Sequence, residues 1–130
     1  MPFAVTSVPH ALLPSASALS FVEIPGGRDL PCRFARSFLR RLRGLLATRP
    51  DCLGGGVLCL EPCSSIHTFG MAYPIDVAFL DECDIVVAAR RRVGPGRMLS
   101  APRATCVLER PADGTSWLIA GDAVRFLTCM

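Results

Sequence analysis

Apolar residues in this chain fall mostly into short runs, separated by clusters of Pro, Gly, Asp and Ser. Runs of that kind, bounded by turn formers, read as β-strands. Residues 19–24 are the first expected strand, closed by Pro25-Gly26-Gly27, with residues 28–32 as a short partner. After the break at Gly54-Gly55-Gly56, residues 57–60 read as a short buried strand. Residues 75–80 and 85–93 read as two strands, and Asp81-Glu82-Cys83-Asp84 joins them as a hairpin. Residues 104–109 and 123–127 complete the set, with a short apolar piece at 117–120. The stretches 61–74 and 94–102 read as loops, the second rich in Pro and Gly.

One segment departs from this rule. Phe38, Leu39, Leu42, Leu45 and Leu46 fall on one stripe of a 3.6-residue period, with most of the neighbouring arginines off it. Ser37 suits the N-cap and Pro50 ends the pattern. Gly44 inside it costs about 1 kcal/mol relative to alanine and marks close packing or the helix end. The pattern therefore predicts an α+β fold: a small, mainly antiparallel, curved or barrel-like sheet with one principal helix at about residues 36–47. No internal repeat or second domain is visible. We expect a flexible tail over 1–18 and a single domain over 19–128.

Composition narrows the function classes. With 130 residues, 51% apolar and 19% charged, the chain is globular and long enough for a real core. No run approaches the roughly 20 apolar residues of a membrane span, so no transmembrane segment is expected. The positive charge comes from 14 arginines and no lysine, which excludes Schiff-base chemistry and a phosphate-loop lysine. A net charge of +3 does not by itself imply nucleic acid. The arginines, from Arg33 to Arg49, then Arg90 to Arg92, Arg97 and Arg103, read as a solvated face nearly balanced by acids; nucleic acid or an acidic partner is the disfavoured reading. The seven cysteines are an odd count, several within apolar runs, and read as core filler in a reducing cytoplasm. The first 20 residues lack the positive charge of a signal peptide and are broken by Pro2, Pro9 and Pro14, so a cytoplasmic location is expected.

The unusual chemistry lies between residues 59 and 76. Cys59, Cys63 and His67 follow a C-x3-C-x3-H spacing whose side chains are zinc ligands by type, and Cys52, Cys83 or Cys106 could supply a fourth. The spacing is not a common zinc pattern, so neither a metal nor another cofactor is expected, and zinc stays a minor alternative. Cys63 with His67 could instead form a nucleophilic pair, with Asp76 orienting the imidazole. Asp76 sits in an apolar strand, where an acid is costly unless it caps a turn or pairs with an arginine. A pocket acid beside His67 is the other reading.

Three stretches in order carry a family likeness. They are Arg41-Leu42-Arg43-Gly44-Leu45-Leu46, then Pro62-Cys63-Ser64-Ser65-Ile66-His67-Thr68-Phe69-Gly70-Met71, then Pro74-Ile75-Asp76-Val77-Ala78-Phe79-Leu80-Asp81. With Val107-Leu108-Glu109-Arg110 and Gly121-Asp122, the chain resembles the domain-of-unknown-function 192 family over roughly residues 20 to 127. The resemblance implies a small α+β domain with a curved sheet and one principal helix, and a family without an established biochemical activity. It also implies association with secretion or pilus functions, as for many members. Cys63, His67, Thr68 and Met71 match a branch with a Cys-x-x-x-His-Thr-x-x-Met loop. Members usually place a glycine in the hairpin after the aspartate, where this chain has Glu82-Cys83-Asp84.

Residues and resemblance converge on loop 61–76. The expected function is a non-enzymatic accessory module binding a small ligand or a protein there. The candidate ligand-binding residues are Cys63, His67, Thr68, Met71, Asp76 and Arg97, with Tyr73 in the same loop. The alternative is a metal-binding or cysteine-dependent enzyme using Cys63 and His67. No catalytic residue is assigned.

Overall fold

The computed structural model describes residues 5–8, 20–25, 28–37, 41, 44–45 and 55–129, and all that follows refers to these. Ten strands run in chain order. They are β1 (Val5–Val8), β2 (Ser20–Ile24), β3 (Arg28–Ala35), β4 (Val57–Leu60), β5 (Ser65–His67), β6 (Ile75–Leu80), β7 (Val86–Val93), β8 (Met98–Ser100), β9 (Cys106–Pro111) and β10 (Arg125–Cys129). Eight of them form one sheet in the order β1-β10-β2-β3-β4-β9-β6-β7, curled into a half-barrel. The remaining two, β5 and β8, form a separate antiparallel ribbon. Among the named strands only β3 and β4 pair in parallel, which requires a crossover through residues 36–56.

Most strands lie where the apolar runs place them. β3 runs past the expected end at Cys32 to Ala35 because Arg33, Phe34 and Ala35 pair with Leu58, Cys59 and Leu60. Each expected loop contains a strand: β5 lies in 61–74 and β8 in 94–102, with Ile66 and Leu99 paired and turned onto the core. β1 falls within the stretch read as a tail, and pairs with β10 from Val5↔Cys129 to Val8↔Phe126.

The α+β class is not what forms. The described residues hold ten strands and no helical element, so the fold is all-β. In the segment expected as a helix over 36–47, one helix-type bond is present, from the Arg41 N–H to the Ser37 carbonyl at 2.9 Å. Gly44 then adopts φ +49°, a left-handed conformation that stops a right-handed helix. Residues 38–40, 42–43 and 46–47 of that expected helix lie outside the described residues, as do Cys52 and most of the expected tail. No helix among the described residues is long and apolar enough to cross a membrane.

Strand alternation sends successive side chains to opposite faces, and this separates two cores. Val57, Cys59, Ala78, Leu80, Cys106 and Leu108 face one side, with Val22, Trp117 and Phe126. Leu60, Ile75, Val77, Phe79 and Val107 face the other, where Ile66 and Leu99 of the ribbon and Leu45 of the 44–45 turn cover them.

Candidate functional site

A half-open cleft of about 280 Å3 lies on the ribbon-covered face. Its apolar wall comes from Leu45, Ile66, Met71, Ile75 and Met98. Polar groups reach it from three elements: Arg41 and Gly44 from the turn, Cys63, Ser65 and His67 from the β4–β5 connection and β5, and Glu109 from β9.

Glu109 is the group that strand parity puts there. It pairs in register with Leu58 of β4 and Val77 of β6, so its side chain shares their face. The residue is only 3% exposed. Burial pushes its carboxyl from an ordinary 4.5 up to about 7, against the opposing pull of a hydrogen bond donated by the Leu45 N–H. Gly44 allows that approach. Its positive φ brings the turn onto the carboxylate, and a Cβ at this position would lie 3.0 Å from Glu109 Oε2. A side chain there would strain the left-handed backbone and push the Glu109 carboxylate aside.

His67 stacks on the half-exposed Phe69 with ring centroids 5.7 Å apart. Its Nδ1 atom is buried and has no hydrogen-bond partner. A buried polar atom without a partner is rare in folded proteins. Cys63 Sγ donates to the Ser65 carbonyl at 3.1 Å. Its thiol is pushed up chiefly by burial, partly offset by a hydrogen bond that the Ser65 backbone offers the sulfur; Glu109 raises it further and Arg41 lowers it.

The structure divides the residues singled out in the sequence. Cys63, His67 and Met71 meet on the cleft. Thr68 does not line it. Fully buried, it donates to the Gly94 carbonyl at 2.7 Å and accepts from the Arg97 N–H at 2.9 Å, tying the 68–71 turn to the start of β8. Arg97 enters through its backbone, and its side chain is exposed. Tyr73 sits at the edge of the same core, its hydroxyl donating to the Leu45 carbonyl at 3.4 Å.

Asp76 turns to the opposite face, because Ile75 and Val77 take the cleft side. There its Oδ2 accepts from Arg110 Nε at 2.9 Å, and its Oδ1 from the Arg92 N–H at 3.0 Å. The Arg110 guanidinium lies 4.5 Å over the Trp117 ring and donates to the Thr115 and Ser116 carbonyls. Cys59 likewise belongs to the other core, fully buried near Cys106, so the C-x3-C-x3-H spacing does not converge on one point. Among the described residues no group of three or more His, Cys, Asp or Glu side chains is placed to hold a metal.

Sequence reasoning missed Glu109 as a site residue. The signal is the same one that marks Asp76: an acid inside an apolar strand, here β9. Arg41, Gly44 and Met98 reach the cleft from elements remote in sequence from His67.

Comparison with known proteins places the chain among uncharacterised relatives. A family model, DUF192 (uncharacterized ACR), matches residues 21–126. No curated protein matches the sequence. Two crystal structures share the fold. A protein of unknown function from Novosphingobium aromaticivorans superposes with a TM-score of 0.66 at 17% identity, over 92% of this chain and 91% of that one. A proposed transcription regulator from Sinorhizobium meliloti superposes with a TM-score of 0.65 at 15% identity, over 98% of this chain and 96% of that one. At these identities the likeness is one of fold alone.

Proposed function

The chain belongs to the DUF192 family, and from that premise we propose that it is a non-enzymatic binding module whose cleft holds a small ligand. The observation that carries this reading is the cleft itself. An apolar wall surrounds a few convergent polar groups, among them the buried, unpartnered His67 Nδ1 and the buried Glu109 carboxyl. That is the composition of small-molecule sites.

The cysteine-enzyme alternative finds less support. A nucleophilic cysteine needs a depressed pKa, and burial raises that of Cys63. Asp76, the acid that would orient His67, is engaged with Arg110 on the other face. The cysteines whose side chains are described, Cys32, Cys59, Cys63, Cys83 and Cys106, are free, which supports a reducing, cytoplasmic setting.

A fragment screen on the isotopically labelled full chain tests the reading. Fragments that bind should shift the amides of Leu45, Ile66, His67 and Met71, and His67→Ala should weaken them about tenfold, the worth of one lost hydrogen bond. Fragments that map to the Asp76–Arg110 face, or a His67→Ala variant that binds as the parent does, would sink it. For the enzyme alternative, iodoacetamide should modify half-buried Cys63 more slowly than exposed Cys83; faster modification of Cys63 at neutral pH would revive it.

A further inference from the structure

We infer that the ligand of this cleft is a small aliphatic primary amine, its ammonium held between the Glu109 carboxylate and His67 Nδ1 and its alkyl chain laid along Met71, Ile75 and Met98. This rests on the cleft being a ligand site, and it specifies the chemistry of what enters.

A carboxylate offers about four lone-pair sites. Among the described residues one donor meets this one, the Leu45 N–H. The flanking strands supply Leu58 and Val77, which bring neither charge nor donor. The titratable and charged groups that share the cleft with Glu109 are Arg41 from the turn and Cys63 and His67 from the β4–β5 region. Arg41 Nη1 donates to the Arg36 carbonyl at 2.7 Å, and among the described residues no cation contributes to the ionisation of Glu109. The Cys63 thiol is spent on the Ser65 carbonyl. Among the described residues no cation pairs with the buried Glu109, an arrangement that costs stability unless something else pairs with it.

An ammonium supplies what is missing. It carries a full positive charge and three N–H donors. His67 lines the same cleft, and its buried, unpartnered Nδ1 is the second acceptor the ammonium would take, with the imidazole proton on Nε2. Three apolar side chains beside these acceptors match an alkyl tail, and Met98, 69% exposed, leaves the tail's far end open to solvent. A carboxylate ligand would meet Glu109 as a like charge. An alcohol could satisfy one acceptor but would leave the charge unpaired. The raised carboxyl pKa agrees with this: Glu109 must lose its proton to pair with an ammonium, so affinity should rise with pH through neutrality.

The test titrates the labelled full chain with n-hexylamine, hexanoate and hexanol at pH 6 and pH 8. The amine should bind at the cleft amides and tighten about tenfold between the two pH values, as expected for a carboxyl titrating near 7. This arm needs no variant. His67→Gln should keep the pH dependence, whereas Glu109→Gln should abolish it and weaken binding at pH 8 at least tenfold. Hexanol or hexanoate binding as tightly as the amine, or Glu109→Gln binding the amine like the parent, overturns the amine assignment and leaves the cleft a ligand site. Silence toward hexylamine while other fragments shift the cleft overturns it too. A cleft silent toward every fragment removes the proposed function along with it.

Discussion

Asp76 and Glu109 are two buried acids on neighbouring strands, 1% and 3% exposed, and the sheet sends them to opposite faces. Asp76 meets Arg110 directly across the strand pair, and Trp117 covers the guanidinium. Its charge is paired and hydrogen-bonded, the condition under which a buried ion is tolerated. Glu109 has one backbone donor and an opening onto a cleft, and burial keeps its proton on to about pH 7. The same residue chemistry in the same two strands therefore yields a structural pin on one face and a reactive-to-environment group on the other. What separates them is whether a cation pairs with the carboxylate, as Arg110 does with Asp76.

The largest expected effect comes from breaking the pinned face. Arg110→Met should destabilise the protein by about 3–5 kcal/mol, because it strands Asp76 as an uncompensated buried charge. Urea unfolding at pH 7 measures this. The double variant Arg110→Met with Asp76→Asn should recover part of the loss, and no recovery would mean that the pair is not coupled.

Glu109→Gln should do the opposite on the other face. The folded protein holds the Glu109 proton to about pH 7, whereas the unfolded chain releases it near 4.5. Folded molecules thus bind more protons between those values, and this group's contribution to stability is fully present below 4.5 and lost as pH rises through 7. The penalty at pH 8 is about 3 kcal/mol, so Glu109→Gln should stabilise the protein by up to that amount at pH 8 and change little at pH 4. Unfolding midpoints at the two pH values decide it, and equal effects at both would contradict the assignment.

The smallest effect sharpens the contact between turn and carboxylate. Gly44→Ala should cost about 1–2 kcal/mol through the left-handed backbone and the crowding of Glu109 Oε2. Combined with Glu109→Ala, which clears that space, the cost should fall toward the backbone strain alone. Thermal unfolding of the single and double variants reads the difference.

Strand positions were legible because a half-buried strand writes its period into local sequence. The runs at 57–60 and 75–80 coincide with β4 and β6 to the residue. β5 and β8 were not legible, since each is three residues long and owes its existence to pairing with the other. The expected helix failed for a related reason. An apolar stripe records that one side is buried, yet Gly44 takes a left-handed conformation that closes a turn onto β9, and periodicity carries no information about φ. Of the site, Cys63, His67 and Met71 were visible as unusual residues in one stretch, while Glu109 and Arg41 belong to it through a sheet register and a crossover.

Alone, then, the sequence determined the family, the strand-rich character and the stretch around His67, because these follow from residue types and their local order. Tertiary structure decided which face each acid serves. Asp76 and Glu109 look alike in the chain, an acid among apolar neighbours. Their roles diverge because register and strand parity, set by contacts distant in sequence, place an arginine beside one and an open cleft beside the other.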